Sequence, residues 1–152
     1  FMGQNWGAGH KKRMMDSYLI SLFYAFAVAA VLGVTFYFAG RPFLYVFTNS
    51  ADVVEAGMQR MKIMCFSYAI SAFMDNTIAA CRGLGRTIVP TVVVILGSCV
   101  FRVIWVYTIF AHYRTIPSLY LLYAFSWTIT SAAEIIYFLH CFRKLRLVPE
   151  AA

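Results

Sequence analysis

Charge is scarce in this sequence. Asp, Glu, Lys and Arg make up 12% of its 152 residues, and just 6 residues are acidic. Soluble domains carry about twice that share of charge, so the composition points away from a water-facing surface and toward a bilayer. The imbalance that remains is a formal net charge of +7. The basic residues do not form a stripe along a polar face. They sit in short clusters between apolar runs, as membrane topology requires, so nucleic acid is not expected as a partner.

Other absences narrow the function. The four cysteines, Cys65, Cys81, Cys99 and Cys141, form no C-x-x-C pair and have no histidine at ligand spacing, which leaves metal and disulfide readings weak. They read as small, polarizable packing residues. Gly3, Gly7 and Gly9 do not fit G-x-G-x-x-G, and no strand precedes them. No H-E-x-x-H, nucleophile–base pair or nucleotide loop stands in the chain, and His10, His112 and His140 fall at the ends of apolar runs. An enzyme is therefore not expected. The basic-then-apolar order of a signal peptide is missing from the first residues. The chain opens on Phe1 and trails off in Ala151-Ala152, so a fragment of a longer protein is expected.

What the sequence has is apolar length: 62% of its residues are hydrophobic. Four runs, about 18–39, 63–81, 88–111 and 116–142, are each long enough to cross a hydrocarbon core of about 30 Å. The prediction is an all-α integral membrane protein with four transmembrane helices. Residues 1–17 are expected as a cytoplasmic loop, with the glycines marking a helix end and a turn, and 143–152 as a cytoplasmic tail. Gly40-Arg41-Pro42 is expected to stop the first span, because proline cannot continue the hydrogen-bond ladder. Ser50 is expected to cap a short helix reaching Glu55. Pro90 falls in the first turn of the third span, where a missing N–H matters little. The many aromatics near the ends of the runs fit an interfacial belt.

Orientation follows from the basic residues. With the N-terminal segment cytoplasmic, Lys11, Lys12, Arg13, Arg82, Arg86, Arg143, Lys144 and Arg146 share that side. Arg41, Arg60, Lys62 and Arg114 lie opposite, and Arg102 lies within a span. The positive-inside rule favours this arrangement, with both ends cytoplasmic.

Three charges fall inside apolar runs, where they are expensive and mark function or pairing. Asp75 shares a helical face with Tyr68, Ser71, Ala72, Ala79 and Arg82 by i±3, 4 and 7 spacing. The small residues allow close helix approach, the hydroxyls can hydrogen-bond the carboxylate, and Asn76 and Thr77 add polar groups beside it. A carboxylate in low dielectric is suited to exchanging a proton or a monovalent cation; the alternative is a buried acid paired with an arginine. Arg102 is in line with Ser98, Cys99 and Trp105 and calls for a carboxylate or carbonyl partner. Glu134 lies on a stripe with Trp127, Thr130, Ser131 and Tyr137; it either pairs with Arg102 or lines the same cavity as Asp75.

The order of motifs resembles the C-terminal part of the multidrug and toxic compound extrusion (MATE) family, in particular its bacterial Na+-driven branch. The matching pieces are MGQNWGAG (2–9) with the basic cluster after it, GRPFLYVFT (40–48) and CRGLGRTIVP (81–90), then Arg102 with Trp105 and Tyr107 and the aromatic last span. The resemblance implies twelve helices in two six-helix lobes, of which this chain supplies the last four, the missing N-terminal part of the same transporter being its partner. It implies a multi-pass protein of the bacterial cytoplasmic membrane that exports small organic molecules, often cationic, by alternating access. Na+ or H+ serves as coupling ion, and no other cofactor is implied. Family members use carboxylates inside the lobes, one of them in the helix before the RGLG hairpin, which Asp75 occupies. The candidate coupling or substrate-binding residues are thus Asp75, Asn76, Ser71, Tyr68, Glu134 and Arg102. Two other readings remain: a lipid or lipid-linked oligosaccharide flippase of the same superfamily, which needs a more basic cavity, and a non-transporting membrane scaffold.

Overall fold

The computed structural model describes residues 1–145. The expected tail at 143–152 lies mostly outside them, as does Arg146. The helices are α1 (Met2–Gly7), α2 (Lys11–Tyr45), α3 (Ala51–Gly83), α4 (Ile88–Tyr113) and α5 (Ile116–Lys144). No strand occurs among the described residues, and α2 to α5 are each long and apolar enough to cross a membrane.

Local chemistry sets where the helices break. After α1 the chain turns at Gly9, whose φ of 72° only glycine adopts cheaply, and α2 begins directly at the basic cluster. The RGLG hairpin closes α3: Leu84 N–H donates to Ala80 O, Arg86 N–H returns to Cys81 O at 2.9 Å, and Gly85 takes φ 69°. Between α4 and α5 the left-handed residue is Arg114, φ 46°, followed by extended Thr115 and a proline in the first turn of α5.

Two expectations are corrected. The first helix does not stop at Gly40-Arg41-Pro42 but runs through Pro42 to Tyr45. So close to the helix end the missing N–H orphans one carbonyl near the terminus, where carbonyls are unpaired anyway. Ser50 does stand at the N-cap of α3, but its side chain makes no cap bond; its own N–H donates to Thr48 Oγ1 at 3.2 Å. No separate short helix follows, since α3 is continuous from Ala51.

The four long helices run antiparallel in sequence, with α3 packed along α2 on one side and α5 on the other, and α4 laid against α5. The core is densest at the hairpin end, where Met14 and Tyr18 of α2 meet Ala80 and Cys81 of α3 and Phe138 and Phe142 of α5. The Tyr18 and Phe138 rings lie 4.5 Å apart. Thr77 Oγ1 gives its proton to Phe73 O at 2.6 Å, so in the 2.8 Å bond between Tyr18 and Thr77 the phenol is the donor. Further along, the α2–α3 seam closes through small residues, as packing between membrane helices commonly does. A Cβ on Gly33 would stand 2.9 Å from Cys65 O. Large apolar side chains such as Phe23, Val31 and Phe38 are left on the outside, as a lipid-facing surface requires.

α4 departs from α-helical geometry twice, with i→i+5 turns over Ile95–Val100 and Val106–Phe110. Such turns are rare and cluster at functional positions.

Candidate functional site

Below the Gly33–Cys65 approach, α2 and α3 diverge enough to leave a cavity of about 920 Å³. Leu32, Gly33 and Phe36 line it from α2; Arg60, Met64, Tyr68, Ser71, Ala72, Asp75 and Asn76 line it from α3. The i, i+3, i+4, i+7 face of Tyr68, Ser71, Ala72 and Asp75 therefore points into one space. Ala79 borders a second cavity instead, and Arg82, although on the same helical face, lines neither.

Within the described residues no hydrogen bond or ion pair involves Asp75; the ion pair formed there is Arg41 to Glu55, 2.6 Å, on the surface. The expected hydroxyl bonds to the carboxylate are not made. Ser71 Oγ donates to the Tyr68 carbonyl at 2.9 Å, one turn back, a local bond that Ser commonly makes in a helix. Asn76 Oδ1 accepts from Ser21 Oγ of α2 at 2.6 Å, and its Nδ2 is buried without a partner. Tyr68 packs on Trp127 of α5, ring centroids 5.4 Å apart.

Arg102 is outside the cavity. Its Nε–H donates to Ser126 Oγ at 3.2 Å, and its guanidinium lies 4.4 Å from the centroid of Tyr123 and 5.7 Å from that of Trp127. Ser126 in turn donates to Gly97 O at 2.7 Å. Gly97 and Arg102 are five residues apart, which at 3.6 residues per turn would place them about 140° apart around the helix. The i→i+5 turn beginning at Ile95 brings both to Ser126. The partner predicted for Arg102 is thus a hydroxyl and two rings, not a carboxylate. Cation–π contact with two rings gives a guanidinium a polarizable neighbour without a counter-charge.

Glu134 is fully enclosed, and neither carboxylate oxygen has a partner. It neither pairs with Arg102 nor lines the Asp75 cavity, which corrects both expectations for it. α5 places it toward the hairpin end, one turn before Phe138 of the core.

The MatE family model matches residues 1–108. The chain belongs to the MatE family. No curated protein matches it. A MatE chain is a membrane efflux transporter, so the apolar helices are set in a lipid bilayer and the α2–α3 cavity lies within a transport protein. The match takes in Asp75, Asn76, the hairpin and Arg102, whereas Glu134 on α5 falls beyond it. Two polar residues at the cavity escaped the sequence reading. Arg60, counted only as an outer-side charge, lines the cavity and lies 5.9 Å from the Tyr120 ring. Ser21 was legible only as a hydroxyl in an uncharged span.

Proposed function

We propose that the chain is the C-terminal portion of a cation-coupled antiporter of the bacterial cytoplasmic membrane, with both described ends on the cytoplasmic side. It exports drugs and other small organic molecules, often cationic, by alternating access, with Na+ or H+ as the coupling ion. One observation carries this reading: Asp75 stands on the wall of a 920 Å³ cavity between membrane helices with no basic residue bonded to it. A carboxylate in that setting is neutralised by a proton or by a small cation. Asn76 and Ser71 supply neighbouring oxygens, and Tyr68 offers a ring face to an organic cation. Arg102 acts at one remove, fixing Trp127, on which Tyr68 rests.

The test uses the full-length transporter in cells. Asp75→Asn is expected to abolish drug resistance with expression intact, and unchanged efflux removes Asp75 from the mechanism. A scaffold without transport activity predicts the reverse pattern, altered assembly at unchanged resistance.

Arg60 favours the second reading, a lipid or lipid-linked oligosaccharide flippase, because it sets a basic group on the same cavity wall. If an anionic headgroup is the substrate, Arg60→Gln removes transport and Asp75→Asn spares it.

A further inference from the structure

The α2–α3 seam holds a second cavity of about 750 Å³, toward the hairpin. On α2 it is bordered by residues from Ser17 to Tyr24, and the Asp75 cavity takes over at Ala25. On α3 it extends from Asn76 to Gly83, while the Asp75 cavity runs from Gly57 to Asn76. Asn76 is the one described residue common to both linings. At this junction Ser21 Oγ donates to Asn76 Oδ1 at 2.6 Å, joining the two helices where the cavities abut.

We propose that the Ser21–Asn76 hydrogen bond is a gate between the two cavities, and that its opening hands a monovalent cation from Asp75 toward the hairpin side. The proposal rests on the reading of Asp75 as the cation site. Asn76 is adjacent to Asp75 in sequence, so an ion leaving the carboxylate meets the amide first. While the bond is made, the amide oxygen is occupied and the serine proton points at it, so neither oxygen is free to ligate. Breaking the bond frees Asn76 Oδ1 and Ser21 Oγ together, two oxygens of the kind that hard cations take. The same rupture joins the cavities. The amide nitrogen shows that this arrangement is not the only one for Asn76: Nδ2 is buried and unpartnered, and a buried donor left unmade favours any alternative that satisfies it. Ser21 is exposed within the four helices, so its rotation disturbs no packed core. Tyr18, one turn earlier on α2, keeps the helices joined through its own bond to Thr77, so the gate opens without parting the seam.

The experiment compares the full-length transporter with its Ser21→Ala and Ser21→Thr variants in proteoliposomes. The probes are 22Na+ uptake and, separately, proton entry read by an internal pH dye, both without drug. Ser21→Ala is expected to raise the leak of one of these ions several-fold and to lower the drug moved per ion. Ser21→Thr, which keeps the hydroxyl, is expected to restore the parent values. A second measurement does not depend on Asp75: Ala79→Cys, on the hairpin-side cavity, is reacted with a membrane-impermeant thiol reagent and the labelled peptide quantified by mass spectrometry. Labelling from the side of the Asp75 cavity is expected to rise when Ser21→Ala is added. Unchanged leak together with unchanged labelling overturns the gate, even if Asp75→Asn abolishes transport. Raised labelling with transport insensitive to Asp75→Asn upholds the gate and overturns Asp75 as the ion site.

Discussion

Arg102 and Glu134 sit on neighbouring helices without meeting: the Arg102 Nε–H goes to Ser126, which lies eight residues, about 12 Å of helix rise, before Glu134 along α5. Two charges that share no partner at that separation behave independently. In a double-mutant cycle with Arg102→Gln and Glu134→Gln, the coupling energy is expected to stay below about 0.5 kcal/mol. Thermal unfolding of the detergent-solubilised transporter measures it. A charge swap is expected to rescue neither single variant.

The Gly97–Thr130 crossing has no spare room. A Cβ on Gly97 would overlap Thr130 Oγ1, itself bonded to Ser126 O at 2.7 Å. Gly97→Ala is expected to destabilise by about 1–3 kcal/mol through overpacking, against a gain of under about 1 kcal/mol in helix propensity. Adding Thr130→Ala should recover most of the loss, which a shift in melting temperature reports.

Tyr18→Phe removes one buried donor and leaves no orphan, because Thr77 still donates to Phe73 O. The expected loss is about 0.5–1.5 kcal/mol, with the Phe138 ring contact retained. A loss above that range in a denaturation series means the phenol has a second role.

Arg41 and Glu55 are 61% and 51% exposed. Removing either is expected to change stability by no more than about 1 kcal/mol, and the difference should shrink as salt rises.

Much of the fold could be read from the residues because a run of apolar side chains of membrane length has few other uses. The hairpin was equally plain, since Gly85 sits where a left-handed turn is needed. Proline at position 42 misled because its effect depends on distance from the helix end, which the sequence does not mark. At the site, 3.6-residue spacing placed Tyr68, Ser71 and Asp75 on one wall correctly. It failed for Arg102, whose partner is set by i→i+5 turns that no periodicity announces. It failed also for Glu134, whose surroundings depend on how far α5 slides along its neighbours. The Ser21–Asn76 bond joins residues 55 positions apart, a register between helices that neither helix encodes alone.

The two wide turns of α4 also make that helix sensitive to length. Each accommodates an extra residue that an ordinary helix of equal rise would not hold, much as a bulge does in a strand. Deleting one residue between Ile95 and Val100 would let the backbone relax to regular geometry while swinging everything after it by about 100°. Arg102 would turn away from Ser126, and Trp105 would lose the Ser118 carbonyl that its indole N–H reaches at 3.1 Å. α4 should therefore tolerate many substitutions along its lipid face but no single-residue deletion, and a sequence aligned to it without allowance for those turns would match the wrong faces.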